Sequence, residues 1–451
     1  MSGATAAHAS YNGSGTQGLA VTNKINDTGD VMSVFWTKDK TTKQLLHGCS
    51  LIEIPSSGGS TATPGSNLTF TMNSDMDLIG DLYLYVTLRF GTTNSIRKEY
   101  GLLNLFERIE FQCGTQIWQT LEFADILALN TTELSEGGYE RFILSSGGFY
   151  DASGGTVGTD FEATSGTDNT RAFSFRLPLL TRNLGPMLNN YSSISESGFL
   201  TAAAPNQTVK IRIYTNKTSV MASPNNMLST FSALDTMDVR LFGKHIIMCN
   251  EEREKIRSIP GGIAKRLKLT QYRDAIAPSV VGDGGSGGTC NLELDCDHFS
   301  LYASHIIIQI FDNTTYIETN NYRLDGSSYN DECCTLISAD LRLNSTSFCG
   351  ALTGGMMAGP LPESMGLYVN NFFSRTDPHT RTLVYVFPLA DKAFSGSGVP
   401  LNRFDNIRLS LRIYVPAIST TANVEIRRVT ATCVGETTAL YKQGAASISM
   451  Y

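Results

Sequence analysis

Charged residues are scarce in this sequence. Asp, Glu, Lys and Arg make up 17% of the 451 residues, where roughly a quarter is usual in soluble proteins. Acidic residues outnumber basic ones by 42 to 35, the formal net charge is −7, and no basic run stands out. Because nucleic-acid binding depends on clustered Lys and Arg, we expect no direct sequence-specific binding of nucleic acid.

Signals for membranes and for secretion are also missing. The longest strongly apolar stretch, Leu301–Phe311, is about half as long as a membrane-spanning helix. The N-terminal segment MSGATAAHASYNGSGTQG has neither the basic start nor the apolar core of a secretory signal. We therefore expect a protein that is made and kept in the cytosol and is not secreted.

The nine cysteines form no CxxC pair and no cluster with zinc-like spacing. Cys290 and Cys296 share one face of a predicted strand, but they lie about 20 Å apart there, which is too far for a disulfide. Cys333 and Cys334 are adjacent and point to opposite faces. Free thiols in a reducing compartment are the expectation.

Catalytic and metal-binding patterns are absent as well. No HxH or HExxH pair, nucleophile elbow, P-loop or dinucleotide fingerprint occurs. Gly284–Gly288 is glycine-rich, but it lacks the Lys-Thr of a P-loop and is interpreted as a flexible loop. The six histidines are dispersed, and those in strand-like segments (His245, His298 and His305) are expected to be packed or edge residues. The others are His8, His47 and His379. We predict no catalytic, cofactor-binding or metal-binding residues and no cofactor.

Two charged clusters have ordinary explanations. Asp75, Asp77 and Asp81 resemble part of a calcium site, but without the rest of such a loop a turn between strands is favoured. The segment Glu251–Arg257 (EEREKIR) alternates acids and bases, which predicts a short solvated helix with local ion pairs.

What is present is alternation with a period of two, typical of half-buried antiparallel strands. The clearest cases are Leu68–Met72, Val209–Ile213, Leu292–Leu294 and Ile407–Ile413. Further strands are predicted at Asp81–Phe90, Arg108–Cys113, Phe173–Leu177, Val239–Met248, Ala264–Thr270, Phe299–Phe311, Leu336–Leu343, Leu383–Phe387 and Val424–Cys433. A longer helix is predicted only at Thr120–Leu134, with Thr120 as its cap.

These elements form two strand-rich blocks on either side of the Glu251–Arg257 helix and the Pro260-Gly261-Gly262 that follows it. Each block has about eight strands, which predicts an all-β fold of two tandem jelly-roll sandwiches. The expected domains are a flexible N-terminal arm (1–45), a first jelly roll with the connector (46–257), a second jelly roll (258–437) and a C-terminal tail (438–451). Long loops at 135–171, 183–206, 274–289 and 350–381 would project from the sandwich ends.

The order of these segments resembles the double jelly-roll major capsid proteins of large icosahedral DNA viruses, over about residues 34–435. In the first half the resemblance rests on an entry segment, a Gly-Asp-Leu strand start, a Tyr-led hairpin and a Pro-Leu strand. These are Val34–Lys38 (VFWTK), Gly80–Leu82, Tyr100–Ile117 and Leu177–Pro186, followed by Val209–Ile213. Cys113 stands where the family hairpin has its first Gly, and Leu179–Thr181 replaces an aromatic-rich strand.

In the second half the resemblance is more specific. Val239–Arg257 is similar to the strand and charged helix between the two barrels, and Ala339–Ser345 resembles a Leu-Asn-Gly hairpin without its Gly. The segments Thr382–Leu389, Gly396–Val399 and Asn402–Leu409 together resemble the family signature F-x-L, S-G and N-F-S-R-I-D-N.

This resemblance implies a structural major capsid protein, not an enzyme, whose homotrimers form pseudo-hexagonal capsomers that tile an icosahedral shell. Implied partners are the chain itself, neighbouring capsomers, minor capsid or penton proteins, and an internal membrane reached by the N-terminal arm. The implied location is the virion, assembled in the host cytoplasm or nucleus.

Other functions remain open at this point. A minor capsid paralogue would share the same features. A carbohydrate-binding or adhesion sandwich would stack sugars on exposed aromatic rings, for which Trp36 and Trp118 are the only tryptophans. A cupin-like or hydrolytic enzyme is disfavoured by the spacing of the histidines.

Overall fold

The computed structural model describes fifteen segments of the chain. They are residues 24–25, 31–32, 47–72, 76–90, 105–145, 170–178, 199–216, 234–248, 250–259, 262–275, 288–312, 334–367, 384–390, 398–415 and 426–449. Most of the predicted N-terminal arm lies outside them, apart from the paired strands β1 (Lys24–Ile25) and β2 (Val31–Met32).

The first half forms two antiparallel sheets. Its strands are β3 (His47–Ile54), β4 (Thr61–Ala62), β5 (Asn67–Met72), β6 (Leu78–Phe90), β7 (Phe106–Cys113), β8 (Gln116–Glu122), β9 (Thr170–Leu177), β10 (Val209–Thr215) and β11 (Leu234–Met248). One sheet has the order β5-β10-β7-β8, and the other has the order β3-β11-β6-β9, with β4 also paired to β11.

The second half repeats this arrangement. Its strands are β12 (Ile263–Ala275), β13 (Gly288–Asp295), β14 (Tyr302–Asp312), β15 (Thr335–Leu343), β16 (Thr346–Ser347), β17 (Leu352–Thr353), β18 (Val384–Pro388), β19 (Val399–Pro400), β20 (Ile407–Val415), β21 (Ile426–Lys442) and β22 (Ala445–Ser449). The sheets run β12-β21-β14-β18 and β13-β20-β15-β16, with β19, β22 and β17 paired at their margins.

The two halves have the same topology. Each half has eight main strands, counted here in chain order. The first, eighth, third and sixth form one sheet, and the second, seventh, fourth and fifth form the other. Two four-stranded sheets connected in this way make a jelly roll. The predicted fold, two jelly rolls in tandem, is therefore confirmed, and each predicted strand overlaps a strand of the structure.

Alternating side chains build the inside of each sandwich. Along β10 the side chains of Val209, Ile211 and Ile213 are buried while those between them are half-exposed. Along β20 the apolar residues of Ile407–Val415 are buried in the same way. Each half thus closes its own apolar interior, as the period of two in the sequence predicts.

The helices differ from the prediction in two places. The structure has α1 (Phe123–Glu133), α2 (Glu136–Ser145), α3 (Asn250–Ser258), α4 (Gly354–Ala358) and α5 (Pro360–Ser364). The predicted cap Thr120 is wrong, because it lies in β8, and Glu122 caps α1 with its N–H donating to Asp125 at 3.1 Å. The segments expected to be long loops at 135–171 and 350–381 contain α2, α4 and α5, which lack a clear apolar period.

The expected C-terminal tail, residues 438–451, is not a tail. Residues 438–442 complete β21, and β22 returns beside it through a turn at Gln443 and Gly444, which both have positive φ (55° and 76°). This two-residue turn with positive φ is the preferred hairpin connection. The hairpin also contacts the first half, since Asn206 N donates to Gly444 O at 2.9 Å and Ala446 N donates to the Gln207 side chain at 2.7 Å.

Candidate assembly surfaces

The charged clusters singled out in the sequence are ion pairs between segments. Asp77 is fully buried and binds the Arg253 guanidinium at 2.6 and 2.8 Å, while Asp81 binds Arg176 at 2.9 Å. Asp75 lies outside the described residues. Arg253 is therefore tied to the first jelly roll, and the prediction that α3 carries only local ion pairs is wrong for this residue.

The histidines are spread over separate segments. His298 Nε2 lies 2.9 Å from the Tyr272 carbonyl oxygen, and His245 and His305 are both buried. His47 lies in β3, and His8 and His379 fall outside the described residues. Within the described segments, no three His, Cys, Asp or Glu side chains come together in a way that could hold a metal ion.

Most of the described cysteines are buried thiols. These are Cys113, Cys290, Cys296, Cys334 and Cys433, while Cys349 is exposed. Burial raises the pKa of Cys113 and of Cys296 to about 12. In the parts of the chain that are described, no helix is long and apolar enough to cross a membrane.

A polar contact joins the two jelly rolls. Strand β8 and helix α1 of the first half lie on the outer face of the β12-β21-β14-β18 sheet of the second half. The register puts Thr432 of β21, Ile307 of β14 and Val386 of β18 side by side on this face. All three are fully buried, so we call this surface the covered face.

Hydrogen bonds fix α1 and β8 on the covered face. Thr432 Oγ1 donates to Asp125 Oδ1 of α1 at 2.9 Å, and Gln119 Nε2 of β8 donates to Thr270 Oγ1 at 3.0 Å. Lys268 donates to Glu133 at the end of α1, whose side chain is 3% exposed. Because these groups are buried together, each would lose a partner if the halves separated.

His305 lies on the same covered face. Its Nδ1 is 2.9 Å from the Ser304 hydroxyl, which itself donates to Val434 O, so Nδ1 carries the ring proton. The opposite nitrogen, Nε2, is buried and has no hydrogen-bond partner among the described residues. Burial, assisted by the charge of Lys268, lowers the pKa of His305 to about 3.

The equivalent sheet of the first half has an outer face with no such cover among the described residues. On this face Phe242 of β11 lies opposite Tyr83 of β6, and Leu51 of β3 lies opposite Lys244. Leu51 is 62% exposed and Tyr83 is 36% exposed, while Phe242 is half-buried with its ring edge-on to Tyr85. We call this surface the open face.

The second half has its own counterpart of β8 and α1. After β16 the chain passes through Phe348 into β17, α4 and α5, at the same position in the jelly roll as β8, α1 and α2. Phe348 is 41% exposed and Met356 of α4 is 44% exposed. We call residues 346–364 the free helical edge, because in the first half this part of the jelly roll is buried against the other sandwich.

The molecule therefore has a contact between its halves and two surfaces with exposed apolar side chains. The helical edge of the first half covers a sheet of the second half, whereas large apolar side chains of the open face and of the free helical edge are exposed. A contact between two different surfaces of equivalent units is heterologous and, when it repeats, produces a ring or a filament. Large apolar side chains on both exposed surfaces fit a protein interface.

Sequence reasoning predicted the strands but not these two surfaces. The signal lay in DLYLYVTLRF, where Tyr83 and Tyr85 occupy the positions that alternation assigns to the outer face. Aromatic residues on the face of a strand that is turned away from the core fit a surface that packs in an assembly. For α4, no comparable sequence signal exists, because GGMMA is short and lacks a helical period.

Solved structures share this fold over nearly the whole chain. A crystal structure of PBCV-1 VP54, fitted into a cryo-EM reconstruction of the virophage Sputnik, matches with a TM-score of 0.66 and 11% identity, covering 92% of this chain and 99% of that one. A chain of a quasi-atomic model of the PBCV-1 virus capsid matches with a TM-score of 0.65, 12% identity and the same coverage. The Faustovirus major capsid protein matches with a TM-score of 0.56 and 10% identity over 88% of this chain and 91% of that chain.

Comparisons of the sequence itself found no counterpart. No family model matches the chain, and no curated protein matches it. The likeness is therefore one of fold. The double jelly roll that the sequence predicts is the fold of these viral proteins.

Proposed function

We propose that this protein is the structural major capsid protein of an icosahedral DNA virus and that it assembles by a repeated contact between unlike surfaces. The observation that carries the proposal is the exposure of large apolar side chains on two surfaces, the open face and the free helical edge. The free helical edge of one copy would cover the open face of the next, as α1 covers the sheet of the second half within the chain. The likeness to the Faustovirus major capsid protein supports this reading.

Three copies joined in this way would place six jelly rolls in a closed ring, which is a pseudo-hexagonal trimer. Closed rings satisfy every copy of a heterologous interface, so they are the stable end point when the geometry allows closure. Permanent interfaces of this type bury on the order of 2,000 Å² or more and are apolar at their centre. The exposed Leu51, Tyr83 and Met356 supply such a centre.

Further contacts follow from a role in a shell. The trimers would touch neighbouring trimers and minor capsid or penton proteins, and the N-terminal arm would reach an internal membrane. The protein would be located in the virion after assembly in the host cytoplasm or nucleus. These statements rest on the sequence resemblance and on the shared fold.

The proposal is tested by the oligomeric state of the purified full-length protein. Light scattering coupled to size exclusion is expected to give a trimer without added metal or cofactor, and negative-stain images should show hexagonal blocks with a threefold centre. Tyr83→Glu places a charge on the open face and is expected to give monomers.

The matched control is Tyr414→Glu. Tyr414 is 41% exposed but belongs to the other sheet of the second half, where it lies opposite Thr289 and Thr335. This variant should remain trimeric. A wild-type protein that is monomeric at micromolar concentration, or a Tyr83→Glu variant that still forms trimers, would contradict the proposal.

A further inference from the structure

A buried polar cluster ties three segments together where the chain leaves the first jelly roll. Asp77 precedes β6, His245 lies near the end of β11, and Arg253 belongs to the connector helix α3. The guanidinium of Arg253 donates to Asp77 Oδ1 at 2.6 Å and to Oδ2 at 2.8 Å, and Met248 N donates to Oδ2 at 2.7 Å. Both carboxylate oxygens of Asp77 therefore accept hydrogen bonds.

His245 completes the cluster as a hydrogen-bond acceptor. The backbone N–H of Asp77 donates to His245 Nε2 at 3.0 Å, and the imidazole is 8% exposed. An imidazole nitrogen that accepts a bond from an N–H group carries no proton, so the ring is neutral here. Protonation would place two N–H groups against each other and break this bond.

The surroundings of His245 do not favour the charged ring. The charged groups that face it are Asp77 and Arg253, while the residues opposite it on the neighbouring strands, Ser50 of β3 and Ile79 of β6, carry no charge. Burial and then the charge of Arg253 lower the pKa of His245, and the charge of Asp77 opposes them. The Asp77 carboxylate cannot accept a hydrogen bond from a protonated His245 ring without losing its bond to Arg253 or to Met248 N.

The cluster holds the first part of the link to the second jelly roll. Helix α3 ends at Ser258, and β12 of the second half starts at Ile263. Arg257 Nε donates to Ala202 O at 3.1 Å, and Ala202 N donates to Asp77 O at 2.9 Å. The position of α3 thus depends on the backbone around Asp77, and that backbone is bound by His245.

We propose that His245 is a proton-operated latch, whose protonation frees the backbone of Asp77 and releases the connector helix α3 from the first jelly roll. The latch acts within a single chain and does not require the assembly proposed above. Its consequence is a link between the jelly rolls that loosens in mild acid and is firm at neutral pH. A protein with this latch would be less rigid in an acidic compartment.

The direction of the effect follows from proton linkage. The opened state lets His245 titrate near its ordinary value of about 6.5, and the closed state holds the neutral ring. Opening therefore binds a proton, and its equilibrium constant rises by up to about tenfold for each pH unit below about 6.5, until the pKa of the closed state is reached. Above that range the latch is insensitive to pH.

The test is amide hydrogen exchange of the full-length protein at pH 7.5 and pH 5.5, corrected for the intrinsic exchange rates. Peptides that contain Asp77 and residues 250–258 are expected to lose protection up to about tenfold in acid. His245→Gln offers a neutral acceptor that does not titrate, so these peptides should keep their protection at both pH values. His298→Gln, at an exposed histidine of the second half, should behave like the wild type.

The proposal is overturned if the His245→Gln variant loses protection in acid as the wild type does, or if the wild type shows no loss. Should this variant fail to fold, the imidazole carbons of the wild type are followed by NMR. His245 should then titrate below about 6.5, in step with the loss of α3 protection. A titration at or above that value, or one without any change at α3, would also overturn the proposal.

Discussion

The covered face and the open face are equivalent surfaces of the two jelly rolls, yet their side chains differ. The covered face of the second half carries Thr432, Ile307 and Val386, which are small or β-branched and fully buried. The open face of the first half carries Leu51 and Tyr83, which are large and exposed. The same surface of the fold is thus buried within the chain in one half and carries exposed apolar side chains in the other.

The difference separates a contact within the chain from the contact proposed between chains. Within the chain the contact is permanent, and hydrogen bonds such as Thr432 to Asp125 fix its geometry. Between chains the contact has to form from separate molecules, and large apolar and aromatic side chains provide most of the energy of such interfaces. Tyr83 and Met356 are residues of that kind.

The largest effect is expected when a charge is placed on each face in turn. Ile307→Glu puts a carboxylate under α1, beside the Asp125–Thr432 pair, and we expect it to lower the free energy of unfolding by about 3–5 kcal/mol. The matched variant Tyr83→Glu should change the stability of the monomer by no more than about 0.5 kcal/mol. Urea unfolding measures both, and equal losses would show that the two faces do not differ in this way.

A smaller effect is expected at the ion pair of the covered face. Lys268→Met keeps most of the side-chain volume but leaves the buried carboxylate of Glu133 without its ammonium partner, which should cost about 1–3 kcal/mol. Arg408→Met is the control, since Arg408 pairs with Asp295 at 2.9 Å on an exposed surface.

Exposed pairs of that kind contribute about 1 kcal/mol or less. Urea unfolding of the two variants at low and high salt separates the contribution of the Lys268–Glu133 pair to stability from that of the Arg408–Asp295 pair. If Arg408→Met destabilised the protein as much as Lys268→Met, the pair on the covered face would have no special role.

The smallest effect concerns His305 on the covered face. Its pKa of about 3 in the folded protein lies well below the ordinary value. At pH values between these two pKa values, the unfolded chain therefore binds more protons than the folded protein. Stability is therefore fully present above about pH 6.5 and falls as the pH drops toward the folded value, by at most about 1.4 kcal/mol per pH unit. His305→Gln should make the decline between pH 6.5 and pH 5 shallower in urea unfolding. An unchanged slope would contradict the assignment of a neutral, buried His305.

The sequence predicted much of the fold because the strands alternate so regularly. Val209–Ile213 and Ile407–Ile413 each form a strand whose apolar residues point inward, as expected. The charged connector was recognised as well, since EEREKIR is helical within α3. These features are local, and local periodicity is enough to find them.

Features that depend on tertiary contact were missed. Thr120 was expected to cap a helix, but it pairs with Glu110 in the hairpin of β7 and β8, and the helix begins three residues later. Arg253 was expected to be solvated, but it reaches Asp77 across 176 residues of sequence. The open face was not predicted either, because a single sequence does not show which side of a strand lacks a partner.

A cryo-EM reconstruction of the purified oligomer decides whether the free helical edge covers the open face. We expect residues 354–364 of one copy to lie on the open face of the next copy, against Leu51, Phe242 and Tyr83. A reconstruction in which the open face is turned to solvent, or is covered by any other part of the chain, would contradict it.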